Sequence, residues 1–185
     1  MFGRIARRYD TGNRVLSLGR DRAWRHKAVR LLAPRKTDIV LDLGAGTADL
    51  SIELAPLASK VIAADFSGPM LAVGLEKVRA AGLSQSVTLV TADAIDLPFA
   101  DACFDGATTA FTMRNLTRME DGFREVLRVL KPSARLVCLE FMRPRSGVVD
   151  AFYRPYLNHV LPFLGARVTG DRTAYAYLAA SINAL

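Results

Sequence analysis

Ile39-Val40-Leu41-Asp42-Leu43-Gly44-Ala45-Gly46-Thr47-Ala48-Asp49 is the stretch that decides the fold. Its first five residues form a short, largely apolar run rich in β-formers, too short for a helix, and read as a strand buried on both faces. The run ends in glycines. Gly44 can adopt φ values closed to other residues, and Gly46 has no Cβ to hold a ligand off, so the backbone can turn sharply beneath a bound cofactor. Residues 48 to 57 read as a helix that starts at this turn. Together they make a nucleotide-cofactor cradle, a motif that several cofactor classes share.

The flanking acids narrow the class. A dinucleotide site wants a third small residue where Asp49 stands, because pyrophosphate sits over that helix end, and an acid there repels phosphate. Asp42, just before the turn, also suits a cationic ligand or one rich in donors. S-adenosylmethionine carries a sulfonium and an ammonium group and no phosphate, and so matches both carboxylates.

The rest of the chain repeats a strand-helix alternation. Residues 3 to 9 and 20 to 33 read as helices separated by glycine breaks, with Pro34 closing the second. A second strand, residues 61 to 64, ends at Asp65. Ser67-Gly68-Pro69 opens a helix from Met70 to Ala81, with Ser67 as N-cap and Gly82 as stop. Strand three covers 87 to 90, strand four 104 to 110, a helix 119 to 130 ended by Lys131-Pro132, and strand five 135 to 141. The pattern predicts an α/β fold of the Rossmann-like kind: an open, mostly parallel sheet with helices on both faces and a ligand across the strands' carboxyl ends. There Asp65 can take both ribose hydroxyls. Asp93, ending the third strand, can accept the adenine amino proton while a neighbouring backbone N–H reaches a ring nitrogen.

With 185 residues, the chain is of single-domain size. It divides into a basic N-terminal segment (1 to 36), a cofactor-binding core (37 to 145) and an apolar C-terminal segment (146 to 185). No apolar run reaches the ~18 to 20 residues a membrane span needs. Cys103 and Cys138 have no Cys or His at metal spacing, which predicts neither a disulfide framework nor a metal site and favours the cytoplasm. The charge is lopsided. Residues 1 to 36 hold eleven Arg and Lys against Asp10 and Asp21 alone, more positive charge than the whole chain's net +7. Interleaved with Phe2, Ile5, Tyr9 and Trp24, these bases read as a solvated helical face or a surface for anionic lipid. Nucleic acid is not expected as a partner, and a nucleic-acid methyltransferase is the least favoured reading: the charge would suit phosphate, but there is no Asn-Pro-Pro-aromatic motif for base amines and no Pro-Cys nucleophile for cytosine carbon.

The chain resembles the ubiquinone/menaquinone biosynthesis C-methyltransferases. The matching stretches are RIARRYDTGNRVLSLGRDRAWR, VLDLGAGTADLSIELA, ADFSGPML, ADAIDLPFADACFD, FTMRNL, REVLRVLKP, LVCLEFMRP and AYAYLAASI, in the family's order over nearly the whole chain. The resemblance implies S-adenosylmethionine as cofactor, contacted by Thr47, Asp65, Phe66, Asp93 and Ala94, with Asp42, Gly44 and Gly46 in support. Ala110 stands beside the cofactor where members often carry Ser or Gly. After Lys131-Pro132, Ser133-Ala134 replaces the usual glycine pair. Members usually continue past the position of Leu185 into two further strands. A chain without them is expected to leave the strand-five edge bare, as a shortened protein or one that self-associates through that edge.

The chemistry implied is C-methylation of a reduced, prenylated quinone, which requires a ring hydroxyl to become phenolate-like. Arg114 and Asn115, after strand four, are the catalytic candidates: a guanidinium to stabilise phenolate charge and an amide to fix a quinol oxygen. Tyr9 and Asp10 could close over the ring, with Asp10 the better proton acceptor of the two once a lid buries it. His159 is the second choice of base. The aromatic stretch 151 to 165 could wall a groove for the tail, and the basic N-terminus could dock transiently on the inner membrane face. Two other readings remain: a methyltransferase of another small aromatic, and a non-catalytic cofactor-binding subunit of a quinone-pathway complex.

Overall fold

The computed structural model describes residues 19–141, together with 6, 10, 11, 14, 17, 147, 167, 177 and 180–182. The chain forms two compact units, one of Arg22–Glu140 and one of Met1–Asp21 with Phe141–Leu185. The first holds the sheet: β1 (Ile39–Leu43), β2 (Lys60–Asp65), β3 (Val87–Thr91), β4 (Phe104–Ala110) and β5 (Leu130–Leu139). All four pairings are parallel, in the order β3-β2-β1-β4-β5. Parallel neighbours need crossovers, and helices supply them: α1 (Arg20–Leu32) leads into β1, α2 (Asp49–Leu54) follows β1, α3 (Gly68–Ala80) follows β2, and α4 (Met119–Val129) follows β4. Strands 1 to 3 run one way across the sheet and strands 4 and 5 the other. The crevice therefore opens at the carboxyl ends of β1 and β4.

Alternation along β1 feeds two cores. Val40 packs with Val29 and Leu32 of α1, Leu50 and Leu54 of α2, and Val78 of α3. Leu41 and Leu43 point to the other face, with Ala107 of β4 and Val126 and Val129 of α4. Helices thus cover both faces, and β1, buried on both, is the continuous apolar strand expected of a central parallel position. Leu41 is wholly buried, and its truncation to alanine would cost about 2–5 kcal/mol.

The largest departure from the expected elements is β5. It starts at Leu130, directly after α4, so Lys131-Pro132 lies within the strand rather than before it. β5 is last in the strand order, where a proline forfeits no central ladder bond. The register with β4 slips between Phe104 and Gly106, and Ser133 takes a positive φ of 66°. The helix expected over 48 to 57 is only Asp49–Leu54: Ala55 keeps right-handed helical angles, but Pro56 has no N–H to continue the ladder, and Leu57 N–H turns to the Leu54 carbonyl at 2.8 Å. Ser67 does occupy the N-cap of α3. Its carbonyl accepts from Met70 and Leu71 N–H, while its hydroxyl makes no capping bond. The expected helix over 3 to 9 lies outside the described residues apart from Ala6.

Candidate active site

At the glycine turn both expected backbone liberties are used: φ is 69° at Gly44 and 55° at Gly46. Gly44 and Ala45 N–H donate to the Ala64 carbonyl at 2.7 and 3.0 Å, tying the turn to the end of β2. A Cβ on Gly44 would overlap the side chain of Thr112, which fills that space from beyond β4. The Thr112 hydroxyl donates toward the carbonyls of Ala110 (3.1 Å) and Gly44 (3.3 Å), so the crevice floor is stitched from both sides.

Asp65 is fixed by the turn it faces. One carboxylate oxygen accepts Gly46 N–H at 2.8 Å and the other Ser67 N–H at 2.7 Å. Burial raises its pKa above the usual carboxylate value, and the two N–H bonds pull it back in part. Each oxygen keeps a second lone pair for a ligand hydroxyl. Beside it Phe66 is 76% exposed, a flat apolar face set out at the rim. Asp42 is placed differently: it is buried, accepts from the Ser51 hydroxyl at 2.5 Å and the Thr108 hydroxyl at 3.3 Å, and its pKa is pushed up to about 6 by burial, which those hydroxyls only partly offset. Its carboxylate thus pins α2 and β4 to β1 beneath the turn.

Thr47 is buried, with its hydroxyl 3.2 Å from Lys77 Nζ. Asp49 pairs with that same lysine and, at 3.2 Å, with Arg25 Nη2. The acid expected to repel phosphate therefore carries no bare charge. Two cations from α1 and α3 compensate it.

Asp93, two residues past β3, is exposed and accepts Ile95 N–H at 3.2 Å, while Ala94 is buried. The loop that follows is clamped from α4. Arg128 donates to the carbonyls of Leu97 (3.0 Å) and Phe99 (2.8 Å), and Glu125 accepts Leu97 N–H at 2.8 Å. The Arg128 guanidinium beside Glu125 holds that carboxyl down at about 2.

Beyond β4 the chemistry changes. Ala110 ends the strand, and Phe111 takes a φ of 59°, an uncommon conformation for an aromatic residue and a mark of local strain. Its ring meets Trp24 edge-on at 6.4 Å and lies 5.9 Å beneath the Arg114 guanidinium. Met113–Asn115 form a 3-10 turn. Arg114, its side chain 4% exposed, forms an ion pair with Glu140, 10% exposed, and its backbone N–H reaches the same carboxylate at 3.3 Å. Asn115 Nδ2 donates to the Phe111 carbonyl at 3.0 Å. Its Oδ1 is buried with no donor among the described residues.

Arg114 and Asn115 thus share one turn on the same sheet end as Asp65 and the glycine turn. Asp10 belongs to the other compact unit and is half-buried. Tyr9, His159 and residues 151–165 lie outside the described residues. Sequence reasoning missed Glu140, although it carries the signal that singled out Asp65: an acid directly after an apolar strand. Ser51, Thr108 and Thr112 gave no signal, because only tertiary pairing gives those hydroxyls a role.

This donor set fits a ribose-bearing cationic cofactor. Asp65 offers paired acceptors and Phe66 a ring face, and the two bases beside the turn, Arg25 and Lys77, are engaged by Asp49. Solved structures share this fold. A Bacillus protein, YcgJ, superposes with a TM-score of 0.66 at 25% identity over 76% of this chain and 60% of its own. An S-adenosylmethionine-dependent methyltransferase from Aquifex aeolicus gives 0.60 at 25% identity over 66% of each chain. Fold and site thus define a Rossmann-like methyltransferase. All of residues 1–185 match the model of the ubiE/COQ5 methyltransferase family, and the chain belongs to that family. It is 45% identical to a demethylmenaquinone methyltransferase of Thermus thermophilus, over 100% of this chain and 84% of that one. It is 40% identical to a ubiquinone/menaquinone biosynthesis C-methyltransferase of Pseudomonas fluorescens, over 99% of this chain and 73% of that one.

Proposed function

We propose that the protein methylates a ring carbon of a reduced, prenylated quinone, with S-adenosylmethionine as methyl donor. The observation that supports this reading is that Asp65, both carboxylate oxygens fixed by backbone N–H groups, lies at the same end of the sheet as a turn bearing a guanidinium and an amide, Arg114 and Asn115. The cofactor supplies an electrophilic methyl on sulfur, so that a carbon–carbon bond forms as the carbon–sulfur bond breaks and the ring carbon then loses its proton. Asp65 holds the ribose hydroxyls, Phe66 packs against adenine, Asp93 and the N–H groups around Ala94 read its edge, and Thr47 and Ala110 line the donor's other end. Arg114 faces the ring oxygen that gains negative charge, and Glu140 sets the direction of its guanidinium. Holding carbon, methyl and sulfur in line can supply on the order of 7–11 kcal/mol of the barrier reduction. Asp10 is the candidate proton acceptor. Asp10→Asn should lower kcat while leaving S-adenosylhomocysteine affinity unchanged.

No helix among the described residues is long and apolar enough to cross a membrane. A tail-bearing substrate together with a basic N-terminal segment supports transient docking on an anionic surface, at about 1 kcal/mol per base. Co-sedimentation with phosphatidylglycerol vesicles that ignores salt would count against it. β5, last in the sheet order, is the edge through which a second copy would pair, and sedimentation equilibrium tests that. The deciding experiment incubates the protein with methyl-labelled S-adenosylmethionine and reduced demethylmenaquinone or its benzoquinol counterpart. Label on ring carbon is expected. Label on oxygen would overturn the reading.

A further inference from the structure

We infer that Asn115 distinguishes the reduced from the oxidised ring, acting as a hydrogen-bond acceptor that a quinol satisfies and a quinone cannot. The inference rests on the quinol reading above and concerns how the ring is chosen.

The orientation of the amide is fixed by its neighbour. The Phe111 carbonyl can only accept, so the atom 3.0 Å from it is the amide nitrogen, and the opposite end must be oxygen. Phe111 is itself held: its N–H donates to the Leu139 carbonyl at 2.8 Å. What remains is Asn115 Oδ1, buried and without a donor among the described residues. Such an acceptor is costly unless a donor arrives. Its sequence neighbour offers the opposite polarity, since Arg114 is donor-only and positively charged.

A quinol and a quinone of the same ring differ at their oxygens. The quinol carries two hydroxyls and can donate to Oδ1 with one while the other, ionising, faces the guanidinium. The quinone carries two carbonyls. It can satisfy Arg114, but it sets lone pairs against Asn115 Oδ1 and leaves that acceptor unpaired. Mismatches of this kind discriminate strongly, because the buried group loses its partner altogether. The turn thereby admits the electron-rich ring that can attack a methyl group and turns away the electron-poor one that cannot.

The test measures direct binding, without turnover. The protein, saturated with S-adenosylhomocysteine, is titrated anaerobically with farnesyl-1,4-naphthoquinol and, separately, with the corresponding quinone, following Trp24 fluorescence. Wild type should bind the quinol at least tenfold more tightly. Asn115→Leu, similar in size but with no acceptor, should lose about tenfold in quinol affinity, keep its quinone affinity, and bind S-adenosylhomocysteine as before. Equal wild-type affinities for the two redox forms would overturn the inference and leave ring methylation standing. Preference retained in Asn115→Leu would overturn it too. If neither form binds while S-adenosylhomocysteine does, the quinol reading falls and the inference with it.

Discussion

The two halves of the crevice are built in different ways. On the β1/β2 side, Asp65 is held by backbone N–H groups of a turn that is itself bonded to the Ala64 carbonyl, and Asp42 is locked by two hydroxyls beneath it. On the β4/β5 side, the working groups are long side chains that fix one another: Arg114 on Glu140 and over Phe111, and Asn115 on the Phe111 carbonyl. Backbone donors tolerate side-chain change and keep a common cofactor in place. Mutually held side chains lend themselves to specificity, because each depends on its partner. Binding of the donor and choice of the acceptor should therefore be separable by mutation.

The harshest way to break that separation is at the seam. Gly44→Val places a Cβ where Thr112 sits and puts a β-branched residue at positive φ, which should damage both halves at once. Calorimetry should find S-adenosylhomocysteine binding lost beyond about a thousandfold, and thermal unfolding should show a destabilisation of roughly 3 kcal/mol or more. Arg114→Ala tests the acceptor half alone. Turnover should fall about a thousandfold while S-adenosylhomocysteine affinity stays within about twofold. Because it leaves Glu140 buried without its partner, stability should drop by about 3–5 kcal/mol, and Arg114→Ala with Glu140→Gln should recover most of that but not the rate. Asp65→Asn tests the donor half. With one acceptor replaced by an amide donor, cofactor affinity should fall about a hundredfold and kcat at saturation should change little. A fall in kcat as large as that from Arg114→Ala would erase the distinction between the halves.

Much of the donor half was legible in the sequence because it follows local rules: an apolar run, two glycines, and an acid where the next strand stops. The acceptor half was legible only as the pair Arg114-Asn115. What that pair touches depends on β5, and the length of β5 was misread because Pro132 looked like a boundary when it lies within an outer strand. Glu140 was passed over for the same reason, since a strand ending at 141 hides an acid that follows a strand ending at 139. Asp49 was misread in the opposite sense. Its charge was visible, but Arg25 and Lys77, 24 and 28 residues away, compensate it only once α1 and α3 have packed.

Asp42 carries the smallest expected effect, since it belongs to the donor half but is held by Ser51 and Thr108 beneath the turn. Its folded-state pKa is about 6, while an unfolded aspartate titrates near 3.9. Between those values the folded protein holds a proton that the unfolded chain has released, so this contribution to stability is fully present below about pH 4 and is lost as pH rises through 6. Asp42→Asn stays neutral throughout and removes that slope. Urea unfolding should show the mutant gaining on wild type by about 2 kcal/mol between pH 4.5 and pH 7. Asp65, raised in the same direction, keeps a shallower slope in the mutant. If cofactor affinity in Asp42→Asn fell as far as in Asp65→Asn, Asp42 would have to reach the ligand rather than Ser51 and Thr108. An unchanged affinity with a flattened stability profile would place it in the floor of the site.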